Sequence, residues 1–185
     1  DNTDPIDRLE IQYGTSFIYP VSSVGSHVSA SPNHQTGRVT SLKTRAVAAT
    51  PGTFGYELDL NKLSEEEKDE IRSQIKEYKK YARLVQQGLY YRLTDPQTAD
   101  TGAWEFASED GKEALVQAVT IRQHANMDVS YIKLRGLAEN IVYREEESGR
   151  TYNSTALMEA GIPVTVELGE YRAYQWHFVQ EDQGE

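Results

Sequence analysis

The spacing of apolar residues in the first 87 positions predicts, in order, a helix, two short strands and a second helix. Asp4 is expected to cap the first helix, because Pro5 suits the first helical position and apolar residues recur at helical spacing to Tyr13. Gly14 is the expected C-cap. The run TSFIYPV, whose apolar stretch is ended by Pro20, is typical of a buried strand, and GTFGYELDL is a second strand candidate. The polar stretch SSVGSHVSASPNHQTGR between them indicates a long loop.

The clearest helix in the sequence is LSEEEKDEIRSQIKEYKKYARLVQQG. Ser64 and Glu67 have the spacing of a capping box, and Gly88 closes the helix. The predicted apolar stripe comprises Ile71, Ile75, Tyr78, Ala82 and Val85. The opposite face is dense with Glu, Lys and Arg, so we expect it to face solvent.

From Leu89 onwards the apolar period changes from helical spacing to alternation. The predicted strands are LYYRL, AWEFAS, EALVQAVTIRQ, SYIKLRGL, NIVYREE and YRAYQWHFV, with a short helix STALMEAG before a further strand, IPVTVEL. Short strands separated by turn residues favour an antiparallel β-sandwich of about 100 residues. The sequence therefore predicts a domain boundary between Gln87 and Leu89, with residues 1–87 in one domain and 88–185 in the next.

Composition narrows the function classes. The 185 residues contain 19 Lys plus Arg against 29 Asp plus Glu, a formal charge of −10, which disfavours nucleic acid or an anionic membrane as partner. Cysteine is absent, and the four histidines lack metal-ligand spacing, so thiol chemistry, disulfides and a zinc site are not expected. No transmembrane run, signal peptide or phosphate-binding glycine loop is recognisable, and the cytoplasm is the default compartment. Carboxylates are the remaining candidate chemistry.

Three motifs, DNTDPIDRLEIQYGTSFIYP, GSHVSASPNHQTGR and GTFGYELDL, occur in this order within the first 60 or so positions. Together they resemble the closing part of the α-galactosidases of glycoside hydrolase family 36, and the resemblance continues through the capped helix to YQWHFV. It implies an α/β plus all-β fold: the last βα units of a (β/α)8 TIM barrel over residues 1–87, followed by a C-terminal antiparallel β-sandwich over 88–185. It also implies that the chain is the C-terminal piece of a larger enzyme.

The resemblance implies a retaining hydrolase that releases terminal α-linked galactose from raffinose- or melibiose-type sugars with two aspartates. The motif of the nucleophile is not in this chain, so the chain alone is expected to be inactive. Matching the DNTD motif puts the general acid/base on Asp1, with Asp4 as the alternative. The residues themselves favour the same choice, because a helix N-terminus stabilises the ionised form of Asp4 whereas an acid must hold its proton. No cofactor or metal is implied.

Other candidates are weaker. His27 and His34 lie in the long polar stretch, where they either shape the substrate pocket or satisfy loop backbone groups. Arg38 and Arg45 are expected to pair with carboxylates or to lie at the surface, and most aromatic residues to pack within strands. Two alternatives stay open: a non-catalytic structural or carbohydrate-binding sandwich, and a related α-galactosyl transferase. The expected partners are a galactose-containing oligosaccharide, the remainder of the parent enzyme and further copies in a homo-oligomer.

Overall fold

A computed structural model describes residues 2–165 and 167–181. Its N-terminal part alternates helices with very short strands. The elements are α1 (Pro5–Thr15), β1 (Val28–Ser29), α2 (Leu42–Ala49), β2 (Tyr56–Glu57) and α3 (Glu65–Gln87). Strands β1 and β2 pair in parallel, with α2 as the connection between them. A parallel pair needs a crossover of this kind, so β1–α2–β2 is a βαβ unit.

The local sequence accounts for the two long helices. Asp4 caps α1, and its side chain accepts the N–H groups of the first turn. The predicted capping box of α3 is confirmed, because the Ser64 hydroxyl accepts the Glu67 N–H while the Glu67 carboxylate accepts the Ser64 N–H. Gly88 follows as the C-cap, as predicted.

The C-terminal part is mostly antiparallel sheet. Its strands are β3 (Leu89–Arg92), β4 (Thr101–Ala107), β5 (Glu113–Thr120), β6 (Ser130–Ile132), β7 (Val142–Glu145), β8 (Thr151–Asn153), β9 (Ile162–Val164) and β10 (Ala173–Gln180). Six strands form one sheet in the order β3-β4-β5-β10-β7-β8, and β6 pairs with β9 in a second. A core that includes Leu134, Tyr143, Leu157 and Phe178 lies between the sheets, so the arrangement is sandwich-like. A short helical turn, Ala156–Ala160, lies where STALMEAG predicts one.

The other face of the six-stranded sheet packs against the helices of the N-terminal part. The shared apolar core contains Ile6, Leu9, Val21, Val47, Ala48, Tyr81, Leu84 and Val85 from the first part and Trp104, Phe106, Leu115, Val119, Ile121 and Ala173 from the second. A buried polar network crosses the same interface: Gln117 accepts a hydrogen bond from the Trp104 indole and donates to Thr50 and Gln175. The helices of the N-terminal part therefore cover one of the two faces of the six-stranded sheet.

Two predictions for the N-terminal part are wrong. The run TSFIYPV is not a buried strand: α1 continues to Thr15, a turn follows, and Ile18 is 80% exposed. The stretch taken as one long loop contains β1, and α2 follows it unpredicted. Every residue of α2 except Lys43 is buried, so the helix has no polar face to give an amphipathic period.

Candidate active site

The carboxylate of Asp4 lies in a fully buried pocket of donors at the start of α1. It accepts the backbone N–H groups of Ile6, at 2.9 Å, and Asp7, at 3.1 Å. The Thr36 hydroxyl donates to its other oxygen at 2.5 Å, and the Arg38 guanidinium pairs with it directly. Four donors from the helix terminus and from the turn after β1 thus meet one carboxylate.

These contacts decide the charge of Asp4. Burial alone raises the pKa of the carboxyl, but the hydrogen bonds from Thr36, Asp7 and Ile6, together with the charge of Arg38, hold that pKa below its usual value. Asp4 is therefore ionised throughout the neutral range. A group in this state is suited to anchoring structure and poorly suited to donating a proton.

The segment between Asp4 and the chain start is tied to the same turn. The Asn2 side chain accepts the Asp4 N–H at 2.8 Å and donates to the Asp7 carboxylate at 3.2 Å. Both the N–H and the hydroxyl of Thr3 donate to Gln35, and the Asn33 amide donates to the Thr3 hydroxyl at 3.0 Å. Residues 2–4 thus have fixed partners on two sides. The predicted acid/base, Asp1, precedes this segment and lies outside the described residues.

Arg38 links three groups. Its guanidinium pairs with Asp4 and lies 3.2 Å from the Asp7 carboxylate. Its Cζ atom also lies 5.2 Å from the centroid of the Tyr171 ring, which comes from the loop before β10 in the sandwich. The predicted pairing of Arg38 with carboxylates is confirmed. Tyr171 was predicted only as a strand aromatic, and its contact with Arg38 has no signal in sequence spacing.

The two candidate histidines occupy different surroundings. His27 precedes β1, and its Nε2 lies 3.0 Å from a Glu57 carboxylate oxygen, at an angle that does not make a hydrogen bond. Burial lowers the pKa of His27, and the nearby charge of Arg8 lowers it further against the opposing effect of Glu57. His27 is therefore neutral at pH 7. His34 is exposed, in the same turn as Thr36.

Two further arginines near β1, Arg8 and Arg45, have backbone partners. Arg8 is buried and donates to the carbonyl groups of Asn2 and Gly25. Arg45 is also buried and donates to the Ser29 carbonyl at 2.7 Å, so its predicted pairing with a carboxylate is replaced by a backbone contact. Each arginine fixes a strand–helix connection next to β1.

Within residues 2–165 and 167–181, no three His, Asp or Glu side chains are grouped as metal ligands would be. No helix in the same ranges is long and apolar enough to cross a membrane. The chemistry that the described region offers near α1 is therefore that of carboxylates, amides and guanidinium groups.

Two protein families match consecutive parts of the chain. The Melibiase family matches residues 1–88, and the glycosyl hydrolase family 36 C-terminal domain matches residues 101–178. The break between the two matches falls next to the predicted domain boundary.

Individual relatives agree with these matches. The chain is 56% identical over 180 residues to the bifunctional α-galactosidase/sucrose kinase AgaSK of Mediterraneibacter gnavus, covering 97% of this chain and 19% of that protein. It is 47% identical over 176 residues to α-galactosidase AgaA of Geobacillus stearothermophilus, covering 95% and 24%. The chain thus spans about a fifth to a quarter of the length of these curated relatives.

Solved structures of α-galactosidases match the fold of this chain. The galactosidase domain of AgaSK superposes with a TM-score of 0.95 at 56% identity, covering 98% of this chain and 25% of that one. A variant of AgaA in complex with raffinose superposes with a TM-score of 0.94 at 45% identity, over the same shares of the two chains. Sequence and fold agree along nearly the whole length, and the chain belongs to glycoside hydrolase family 36.

Proposed function

We propose that this chain is the C-terminal portion of a retaining α-galactosidase that hydrolyses terminal α-linked galactose in raffinose-type oligosaccharides. The observation that carries the proposal is the identity of 56% and 47%, over nearly the full chain, to two α-galactosidases. Variants of one of these relatives have been solved with raffinose and with stachyose bound, which supports galactosides as the substrate class.

We assign residues 1–87 to the last βα units of a (β/α)8 barrel. Three features support this: β1 and β2 are parallel, helices alternate with them, and each strand pairs only with the other within the described ranges. Parallel strands normally have neighbours on both sides. Arg8 Nε and Ser29 Oγ are also buried without a hydrogen-bond partner among the described residues, which suits an arrangement completed by further barrel strands.

The chemistry requires two carboxyl groups on opposite faces of the scissile bond, about 5–5.5 Å apart in retaining enzymes. In our proposal the upstream barrel supplies the nucleophile, which attacks the anomeric carbon as Asp1 protonates the departing glycosidic oxygen. Asp1, now ionised, then removes a proton from water, which attacks the anomeric carbon and releases the nucleophile. The two inversions give net retention.

The surroundings of Asp4 support Asp1 as the acid. Four donors and a lowered pKa keep Asp4 ionised, and its buried carboxylate is already committed to the helix terminus and to Arg38. Asp1 lies three positions earlier, directly before a segment with fixed partners. An acid at position 1 is thus joined to a segment whose own contacts are fixed.

The alternative of a carbohydrate-binding sandwich finds little support. Such a surface needs exposed aromatic faces, and Tyr131 is the one strongly exposed aromatic side chain of the sandwich among its described residues. Tyr174 and Trp176 stack on each other and pack against the sandwich core. Whether water or a second sugar is the acceptor depends on residues that this proposal places in the upstream part of the barrel.

The test is Asp1→Asn in the full-length enzyme, assayed on raffinose and on a dinitrophenyl α-galactoside. The dinitrophenolate group of the aryl galactoside leaves without being protonated. We therefore expect kcat/KM to fall by about 10²–10⁴-fold for raffinose and much less for the aryl galactoside. Asp128→Asn, at an exposed carboxylate of the sandwich, is the matched control and should change neither. Unchanged hydrolysis of raffinose by Asp1→Asn would overturn the proposal.

A further inference from the structure

Tyr171, in the sandwich part, contacts Arg38 of the candidate active site, and both parts of the fold hold it in place. Its backbone N–H donates to the Thr120 carbonyl at 2.8 Å, and its own carbonyl accepts the Thr44 hydroxyl at 2.6 Å. Thr44 belongs to α2 and is fully buried, so Tyr171 is fixed to the sheet on one side and to the barrel part on the other.

The backbone of Tyr171 has an uncommon conformation. Its φ is +62°, in the left-handed region that a bulky side chain rarely adopts. Such strain persists only where the surroundings impose it, and it is concentrated at sites where a side chain must point in one direction. At Tyr171 that direction places the ring beneath the Arg38 guanidinium, with 5.2 Å between Cζ and the ring centroid.

The ring in turn restricts Arg38. A guanidinium held over an aromatic ring has fewer directions open to its N–H groups. Here they point at Asp4 and Asp7, and the Arg38 side chain is only 23% exposed. The same Asp4 residue caps α1 and bonds through its N–H to Asn2, the residue after Asp1. A continuous set of contacts therefore runs from the sandwich to the neighbour of the predicted acid.

We propose that Tyr171 is a positioning residue for proton transfer by Asp1, acting through Arg38 and Asp4, so that the sandwich supports catalysis as well as folding. The proposal rests on the proposed function, because it takes Asp1 as the acid/base. Loss of the ring frees the guanidinium, loosens the first turn of α1 and shifts residues 2–4. Displacements of about 1 Å at a reacting group can lower a rate by about 10²-fold.

The experiment compares Tyr171→Leu with Tyr171→Phe in the full-length enzyme. Phe keeps the aromatic face and Leu removes it. We expect Tyr171→Leu to lower kcat/KM for raffinose about tenfold, while kcat/KM for a dinitrophenyl α-galactoside stays within about twofold, because that leaving group needs no proton. Tyr171→Phe should lose clearly less of its activity on raffinose than Tyr171→Leu, because it keeps the ring and removes only the hydroxyl, which also interacts with Arg38. Arg38→Lys, which keeps the charge but not the stacked plane, should show the same selective loss as Tyr171→Leu.

Tyr131→Leu is the matched control, since it removes an exposed tyrosine ring from the sandwich away from Arg38. Active-site titration normalises every variant to correctly folded enzyme. Equal losses on both substrates, or no loss with raffinose, would overturn the positioning role, as would an Arg38→Lys enzyme that spares raffinose. Failure of the proposed function is distinguishable, because then Asp1→Asn itself would show no selective loss with raffinose.

Discussion

Replacing Asp4 by alanine tests whether this carboxylate anchors the start of α1. The side chain is fully buried and accepts from Ile6, Asp7, Thr36 and Arg38. Loss of an N-cap costs about 1 kcal/mol, and leaving buried donors without an acceptor costs about 1–3 kcal/mol more. We therefore expect Asp4→Ala to lower the free energy of unfolding by about 2–4 kcal/mol.

Asp7→Ala is the matched control, because Asp7 also contacts Arg38 but its side chain is 42% exposed. Its loss should cost about 1 kcal/mol or less. The assay is urea unfolding of the 185-residue chain, followed by tryptophan fluorescence. Trp104 lies in the core shared by the two parts of the fold, and Trp176 packs against the sandwich core. Equal shifts in midpoint for the two variants would refute the anchoring role of Asp4.

The same system makes a prediction about pH. The pKa of Asp4 is lowered in the folded chain: burial raises it, but the hydrogen bonds from Thr36, Asp7 and Ile6 and the charge of Arg38 outweigh burial. The ionised form therefore stabilises the fold, fully above the unfolded pKa near ~3.9 and less as the pH falls below it. The advantage of the wild type over Asp4→Ala should therefore be constant above about pH 5 and shrink as the pH falls below about 4.

Three further outcomes are expected. Gln117→Leu should lower the free energy of unfolding by about 1–3 kcal/mol in the urea assay, because the buried Trp104 indole loses its acceptor. Residues 88–185 expressed alone should self-associate in size-exclusion chromatography with light scattering, because Phe106, Leu115 and other residues of the shared core become exposed. Burial, aided by Arg8, lowers the pKa of His27, so stability should fall as the pH drops below about 6.5, and His27→Asn should flatten that slope in urea titrations.

Each of these has an outcome that contradicts it. An unchanged urea midpoint for Gln117→Leu would mean that the polar network adds nothing to the interface. A monomeric, cooperatively unfolding 88–185 polypeptide would show that the sandwich does not need the helices. An identical pH slope in His27→Asn would place the titrating group elsewhere.

Local sequence signals predicted the structure correctly where it depends on residues close together in the chain. The caps at Asp4 and Ser64 and the closing Gly88 were all predicted, because each acts through backbone groups within about one turn. Apolar patterning likewise located seven of the eight strands described from Leu89 onwards, and it missed the short strand β8 (Thr151–Asn153).

Predictions from the sequence were wrong or missing where the structure depends on contacts between residues far apart in the chain. Helix α2 is buried on almost every side, so it shows no amphipathic stripe, and β1 is only two residues long within a polar stretch. The run around Ile18 reads as a strand because apolar residues there were expected to be buried, yet the turn leaves it exposed. The contact between Arg38 and Tyr171 joins the two parts of the fold, and no periodicity connects residues so far apart in sequence.

In the proposed enzyme, Asp1 is the acid/base of a retaining α-galactosidase whose nucleophile lies upstream. The most direct test is to hydrolyse an activated aryl α-galactoside with Asp1→Ala full-length enzyme in the presence of azide. If Asp1 is the acid/base, azide attacks the covalent intermediate, restores turnover and gives the α-galactosyl azide, with configuration retained. Formation of the β-galactosyl azide would identify Asp1 as the nucleophile instead, and undiminished hydrolysis without azide would exclude Asp1 from the chemistry.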